Sequence, residues 1–183
     1  PTDRCSFVNI EQDYNSSVEN SMKAIYYINE IREKYGREKI SFDKRAYVLA
    51  VIRAREMREN NYIDHVNPTD GTCADSLKRI YGFGFFEAVA ENIYGNLDYF
   101  NGGCTKIEFA SMESVVDLWM GSRGHRYNLL YAHTAGAVGC YKNICVFIGV
   151  NGDGYGDGCV SASEGKEFWD NASLQDGEAV YEN

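Results

Sequence analysis

The sequence has 183 residues, of which 44% are hydrophobic, and its formal net charge at pH 7 is −9. This size is typical of one domain with room for a packed core. The acidic balance disfavours a general nucleic-acid binder, because polyanions need a basic protein face. No apolar run approaches the roughly 18 residues of a membrane helix, so we expect no transmembrane segment.

Cysteine usage points to an oxidising compartment. The six cysteines form an even set without a C-x-x-C pair, which argues against zinc-ribbon and thioredoxin-like sites. We expect up to three disulfides in a secreted, extracellular protein. Fifteen pairings are possible; Cys140 and Cys145 can face each other across a hairpin, or each can staple a different loop. The six cysteines are Cys5, Cys73, Cys104, Cys140, Cys145 and Cys159. The chain begins at Pro1, which indicates a processed or trimmed chain without its signal peptide.

The first predicted helix follows a capping-box pattern at Ser16 and Glu19. Apolar residues then recur at helical spacing, which predicts that they form the buried stripe. These residues are Val18, Met22, Ile25, Ile28 and Ile31. Gly36 is the predicted stop signal.

A second helix is predicted after Asp43, with a buried stripe and a solvent-facing side. The predicted buried residues are Tyr47, Ala50, Ala54 and Met57, and those predicted to face water are Arg53, Arg55, Arg58 and Glu59. The helix is expected to end at Asn60 and Asn61. His65 would then lie just beyond a helix C-terminus, where the helix dipole favours imidazolium unless a metal competes.

The remaining elements are shorter. We expect a helix over residues 73–81, a loop from residue 85 into an extended piece that carries Glu91, and a helix whose buried face includes Val115, Val116 and Trp119. That helix should end near Gly121, where the glycine frees the backbone before His125. Residues 135–141 and 145–150 predict an antiparallel hairpin, and residues 167–171 a final short helix.

These elements predict an α+β fold, a three-layer α-β-α sandwich with a small antiparallel sheet. We divide the chain into an N-terminal segment at 1–15, a domain at 16–151, and a Gly/Asp-rich C-terminal extension at 152–183. The extension is expected to pack on the domain or to trail from it.

Three motifs in order carry a resemblance to a known family: His65 after the second helix, the stretch from Ala90 to Gly95 around Glu91, and Trp119-Met-Gly-Ser-Arg-Gly-His-Arg-Tyr-Asn-Leu-Leu130. Together with Gly139 before a strand, they resemble the CAP superfamily of cysteine-rich secretory, antigen 5 and pathogenesis-related 1 proteins, also called SCP domains. The resemblance runs from about residue 18 to residue 150. It implies an α-β-α sandwich, secretion, and a cleft lined by two histidines and acidic residues.

By this resemblance, His65 and His125 match the two cleft histidines and Glu91 matches the first cleft glutamate. Ser122 stands where animal and plant members have a second glutamate, an arrangement often found in bacterial members, so a set of three residues is implied rather than four. Gly139 followed by Cys140 resembles eukaryotic members instead, so the source kingdom stays open.

Two neutral imidazoles and a carboxylate are a ligand set typical of Zn²⁺, with a fourth position open to water. We therefore expect His65, His125 and Glu91 to hold Zn²⁺ or another divalent cation. The structural alternative is that both histidines hydrogen-bond to Glu91 and tie helix ends to the sheet. Ser122 is expected at a helix end, and Asn128 is expected to bond to backbone in the turn.

The favoured function is a non-enzymatic extracellular binding or host-interaction module, whose partner is an extracellular protein or a lipid. A metal-dependent hydrolase acting on peptide is the alternative, since a bound metal activates water. A nucleophile and an oxyanion hole are not identifiable. Sterol or fatty-acid binding is a third possibility, suggested by the aromatic middle loops at Phe83, Phe85, Phe86, Tyr94, Tyr99 and Phe100; packing as loop anchors is the favoured explanation of these aromatics.

A separate pattern resembles a calcium-binding loop. Asp153, Asp157, Gly158 and Glu164 match the first, fifth, sixth and twelfth positions of such a loop. Tyr155 breaks the third position, and short motif matches arise often by chance. A plain flexible loop is therefore favoured.

Overall fold

The computed structural model describes residues 17–95, 111–152 and 158–171. Within these ranges six helices and four strands follow in order. They are α1 (Val18–Lys34), β1 (Ser41–Phe42), α2 (Lys44–Glu59), α3 (Ala74–Leu77), β2 (Ala88–Tyr94), α4 (Met112–Met120), α5 (Arg123–Leu130), β3 (Ala135–Tyr141), β4 (Ile144–Asn151) and α6 (Ala162–Asn171).

The four strands form one sheet in the order β1-β3-β4-β2. The predicted hairpin is confirmed as β3 and β4, which pair antiparallel, and β2 pairs antiparallel with β4 on its other side. The sheet is not purely antiparallel, however, because β1 runs parallel to β3. A strand of two residues has too few positions to show an alternating pattern, so the sequence did not reveal it.

Helices cover both faces of the sheet, which confirms the α+β, three-layer arrangement. On one face α2 packs on a cluster that includes Val146, Ile148 and Val150. On the other face α1, α4 and α5 pack on a cluster that includes Val138 and Phe147, with Trp119 only 2% exposed. Alternate residues of β4 therefore serve two separate cores, as strand geometry requires.

The predicted stripe of α1 is wrong at its N-terminal end. Val18 and Met22 are 38% and 52% exposed, while Ser21 and Arg32 are buried. Ser21 accepts a hydrogen bond from the backbone N–H of Val138, and Arg32 donates to carbonyls at the end of α5. Polar side chains with such partners can occupy a buried face. The prediction of buried positions from apolar residue type alone was therefore wrong here.

Helix ends also differ from prediction. The N-cap of α1 is Ser17, whose hydroxyl accepts from the N–H of Asn20, and not Ser16. The helix predicted over 73–81 is limited to α3. The last helix begins at Ala162, earlier than expected, because Ser161 caps it: its N–H and hydroxyl both donate to the Glu164 carboxylate.

Two disulfides are present among the described residues. Cys140 and Cys145 are directly opposite each other in the hairpin, and Cys73 pairs with Cys159. The second bridge ties the start of α3 to the segment that precedes α6, so the C-terminal helix is covalently held to the domain. Cys5 and Cys104 lie outside the described residues.

In the described part of the chain, no helix combines the length and the apolar character needed to cross a bilayer.

Gly149 in β4 is required by a close contact, because a Cβ at this position would overlap the ring of His133. We expect Gly149→Ala to lower the free energy of unfolding by about 1–3 kcal/mol, the usual cost of overpacking a core. Urea denaturation followed by circular dichroism measures the effect. Gly152→Ala is the control, since no described atom lies within 4 Å of its Cβ position; equal midpoints for the two variants would contradict this account.

Candidate functional site

A cavity of about 1140 Å³ lies along β2. Five consecutive residues of the strand, 88–92, line it. Because neighbouring residues of a strand point to opposite faces, this lining shows that the cavity wraps around the edge of β2. The helical walls come from α5 and α6, and His65, Ser122 and His125 all line the cavity.

The two cleft histidines approach β2 from opposite faces of the sheet. Glu91 points to the α2 face, where its carboxylate meets His65. Asn92 points to the α5 face, where its side-chain amide donates to the backbone carbonyl of His125. The structure places His65, Glu91 and His125 in the lining of one cavity.

Arg53 is the residue that organises the α2 side, and the prediction that it faces water is wrong. Its side chain is fully buried. Its guanidinium donates from Nε to Glu91 Oε2 (2.9 Å) and from Nη1 to the Tyr62 hydroxyl (2.8 Å) and to Glu56 Oε2 (3.0 Å). Nη2 donates to the backbone carbonyls of Asp64 (2.9 Å) and His65 (3.0 Å). One side chain therefore fixes the loop that carries His65 to the strand that carries Glu91.

The spacing of the residues in α2 already indicated that Arg53 is buried. Arg53 lies three residues after Ala50 and four before Met57, so helical periodicity places it on the buried stripe. Its charge led to the opposite assignment. A charged residue on an apolar stripe predicts a buried partner, since charges are almost never buried unpaired.

Glu91 is ionised although its side chain is only 5% exposed. Burial alone would raise the pKa of Glu91, but the Arg53 charge and the hydrogen bonds from His65 and Arg53 outweigh burial and hold that pKa below its ordinary value. An ionised carboxylate only accepts hydrogen bonds, so His65 Nδ1, 3.0 Å from Glu91 Oε1, carries a proton. In the neutral ring the lone pair is then on Nε2.

His125 lies in the first turn of α5, not in a loop freed by glycine. Gly121 ends α4 with an ordinary negative φ of −77°. Burial, and next the charge of His65, lower the pKa of His125, so this ring is neutral at pH 7. Ser122 occupies the N-cap position of α5, but its side chain makes no capping hydrogen bond.

On the α5 side a chain of buried amides supports the cleft. Asn128 does not bond to backbone in the turn; its side chain donates to Asn92 Oδ1 (3.1 Å) and pairs with His133 Nε2 (2.8 Å). The other ring nitrogen of His133 meets Asn151 (3.2 Å). His133, the third histidine, was not singled out in the sequence, because no local motif surrounds it.

The calcium-loop prediction lies mostly outside the described residues, which include neither Asp153 nor Asp157. Glu164 is described, and it lies in the first turn of α6. Hydrogen bonds from the Ser161 backbone N–H and hydroxyl lower the pKa of Glu164, and they outweigh the small opposite effect of burial. Its carboxylate therefore has a structural partner, and calcium binding stays a prediction.

The aromatic residues of the middle loops divide into two groups. Phe83 is 3% exposed beneath the guanidinium of Arg45, whereas Phe85 and Phe86 are 60% and 68% exposed and pack edge to face. Tyr94 packs against the core, and Tyr99 and Phe100 lie outside the described residues. Lipid binding stays a prediction.

Fewer side chains are available to bind a metal than the sequence suggested. Across the described ranges, no three His, Cys, Asp and Glu side chains are grouped so that they could hold a metal ion. Both Glu91 oxygens already accept from Arg53, whose positive charge opposes a cation beside them. The imidazole atoms that could hold a cation are Nε2 of His65 and the ring nitrogens of His125. A carboxylate that orients a ligating histidine, as Glu91 orients His65, is common at metal sites.

The first prediction for the site concerns the buried ion pair. Arg53→Met should lower the free energy of unfolding by about 3–5 kcal/mol, because the Glu91 charge is left buried without its partner. The double variant Arg53→Met/Glu91→Leu should recover part of this loss, since it removes both charges. Thermal and urea unfolding measure both variants.

Arg55→Met is the matched control for this pair, because Arg55 lies on the exposed side of the same helix and contacts Glu59. It should change stability little. An effect as large as that of Arg53→Met would show that loss of helix propensity or net charge, and not the buried pair, is responsible.

The second prediction concerns pH. His125 has a lowered pKa in the folded chain, so the unfolded chain binds a proton first as the pH falls below about 6.5. Stability should therefore decrease from pH 6.5 downward, and further at lower pH as Glu91 is protonated. His125→Gln should flatten the upper part of this curve when the free energy of unfolding is measured from pH 7 to pH 4.5. An unchanged slope in the variant would contradict the burial of a neutral ring.

Comparison with known proteins agrees with this geometry. The model of the cysteine-rich secretory protein family, CAP, matches residues 25–146, about two thirds of the chain. The uncharacterized protein YkwD of Bacillus subtilis is 32% identical over 109 residues, which are 59% of this chain and 37% of YkwD.

Two solved structures are similar. An extracellular protein containing an SCP domain from Bacillus anthracis superposes with a TM-score of 0.59 at 26% identity, over 73% of this chain and 40% of that one. A cysteine-rich secretory protein from Staphylococcus aureus gives a TM-score of 0.51 at 15% identity with the same coverage, which supports the fold alone. This chain spans less than half the length of each of these proteins. Because the family model matches the central two thirds of the chain, the chain belongs to the cysteine-rich secretory protein (CAP) family.

Proposed function

We propose that this protein is a secreted binding module that takes an extracellular ligand in the cleft along β2, with a divalent cation held by His65 and His125. Secretion is supported by the two disulfides, which suit an oxidising compartment. It is supported also by the Bacillus anthracis neighbour, which is described as extracellular.

One observation carries the proposal: two imidazoles line the same cleft, and each has a ring nitrogen that no other described side chain contacts. Glu91 holds His65 through Nδ1 and leaves the Nε2 lone pair. His125 is kept neutral by burial and by its neighbour His65. Neutral imidazole is the form that binds metals.

A divalent cation such as Zn²⁺, held by these two rings, would offer open coordination positions to a polar group of the ligand. Glu91 serves as the partner that orients His65, and Arg53 keeps Glu91 in place. With two protein ligands, the affinity should be lower than that of a closed structural zinc site, which has four.

A binding role is favoured over hydrolysis by the state of Glu91. A general base needs an available lone pair and a pKa near the working pH. Burial is outweighed by Arg53 and His65, which hold the pKa of Glu91 low and occupy its oxygens. Within the described residues Ser122 makes no hydrogen bond to His125, so the pair is not set up as nucleophile and base.

The test is a Zn²⁺ titration of protein without a histidine tag, followed by NMR of the imidazole nitrogens. We expect the signals of His65 and His125 to shift and those of His133 to stay, because both nitrogens of His133 are already bonded. Affinity should fall below about pH 6, where imidazole is protonated.

His65→Ala and His125→Ala should each abolish the response in calorimetry. Binding that persists in both variants, or that is flat from pH 5 to pH 8, would sink the proposal. Peptide turnover by the zinc-loaded protein that is lost in the same variants would favour the hydrolase alternative instead.

A further inference from the structure

The edge of β2 that faces the cleft has unpaired backbone groups. β2 is the last strand of the sheet and pairs only with β4. In an antiparallel pair, alternate residues direct their N–H and C=O groups toward the partner strand, and the others direct theirs outward. Which residues of β2 point outward can be read from two neighbouring contacts.

The carbonyl of Val150 in β4 accepts from the N–H of Thr134, so it points away from β2. Its neighbours Gly149 and Asn151 therefore point toward β2, where they pair with Ala90 and Ala88. By alternation, the N–H and C=O groups of residues 89, 91 and 93 point to the open edge.

A second contact shows that the same residues of β2 point outward. The carbonyl of Ile93 accepts a hydrogen bond from the Trp119 indole (3.1 Å), which it can do only if it points away from β4. At that end the edge is closed by Trp119. At Val89 and Glu91, both of which line the cavity, no described group pairs with the outward backbone.

We propose that the ligand of the cleft is an extended peptide segment that binds as an additional strand beside β2. It would pair with the outward N–H and C=O groups of Val89 and Glu91. This inference rests on the proposed binding role of the cleft and names the class of its ligand. Strand addition to an open sheet edge is a general mode of peptide recognition, in which backbone bonds give affinity and pockets give specificity.

The shape of the cleft suits this ligand. The bonding groups of Val89 and Glu91 repeat every second residue, about 7 Å apart, which matches the repeat of an extended peptide backbone. The facing wall includes Ala162 and Gly165 of α6; the methyl group of the alanine and the absence of a side chain at the glycine leave room for a main chain. A second cavity of about 250 Å³, also lined by Val89, Glu91 and Gly165, continues along the same edge toward Cys73.

The two histidines would flank the added strand. His65 contacts Glu91 on the α2 face of β2, and the His125 carbonyl contacts Asn92 on the α5 face, so successive side chains of the peptide, which alternate in direction, would meet first one of these residues and then the other. Tyr127 and Tyr131, whose tilted rings have centroids 5.7 Å apart, line the α5 side and offer an apolar surface to a side chain.

The edge geometry can be measured first. In hydrogen exchange followed by NMR, the amides of Val89 and Glu91 should exchange fast, while those of Ala90 and Asn92, bonded to β4, should be protected. Val89→Pro should keep the fold, because proline is tolerated where the strand N–H faces outward. Ala90→Pro should unfold the protein, because its N–H is bonded to β4. Loss of the fold in Val89→Pro but not in Ala90→Pro would overturn the proposal.

The binding test uses a displayed library of random eight-residue peptides, selected against the whole chain. A selected peptide should lose binding about tenfold or more when alternate backbone nitrogens are methylated, and little when the intervening ones are. The same peptide should bind poorly to Val89→Pro.

Three outcomes would overturn the inference. They are an equal loss of binding at every methylated nitrogen, unchanged binding of the peptide to Val89→Pro, and a library that yields no binders. The Zn²⁺ titration separates this outcome from failure of the proposed function. Normal zinc binding without peptide binding rejects only the strand-addition ligand, and peptide binding without zinc rejects only the cation.

Discussion

The cleft depends on one buried ion pair, Arg53 with Glu91. The guanidinium, fully buried, reaches the strand through the carboxylate and the His65 loop through two backbone carbonyls. Such a pair stabilises a fold less than its Coulomb energy suggests, because both charges lose their hydration. Its effect is geometric instead: with five donors in a fixed plane, arginine can hold a helix, a loop and a strand in one arrangement.

A polar network on the other face of β2 balances this pair. Asn92 bonds to the His125 carbonyl and to Asn128, which continues to His133. The edge strand is thus attached to α2 on one side and to α5 on the other through side chains that alternate along it. Both faces are occupied, so a ligand can reach the strand only along its edge. The same alternation brings His65 and His125 to one cleft from different layers.

Sequence reasoning succeeded where the information is local. The hairpin, the buried face around Trp119 and the second helix all have periodic patterns, and the histidine and glutamate motifs carried the resemblance to the family that the family model matches. It failed where a side chain is defined by a distant partner. Arg53 was assigned by charge and not by spacing, although it lies on the buried face of its helix, and buried Arg32 was not singled out. His133 stands in no motif, and its role arises from Asn128 and Asn151, brought near by folding.

The wall of the cleft opposite β2 includes residues of α6. The family model ends at residue 146, whereas α6 and the segment before it lie beyond that point. This wall is held by the bridge from Cys159 to Cys73 and by the Asp64 carboxylate, which accepts from the N–H of Ala162. Asp64 is next to His65, so the wall is anchored beside the cleft. The region matched by the family model thus carries the two histidines and β2, while α6 forms part of the opposite wall of the cleft. Under the proposed binding role, the choice of ligand should therefore depend on the residues of α6 that line the cavity, above all Gly165 and Lys166.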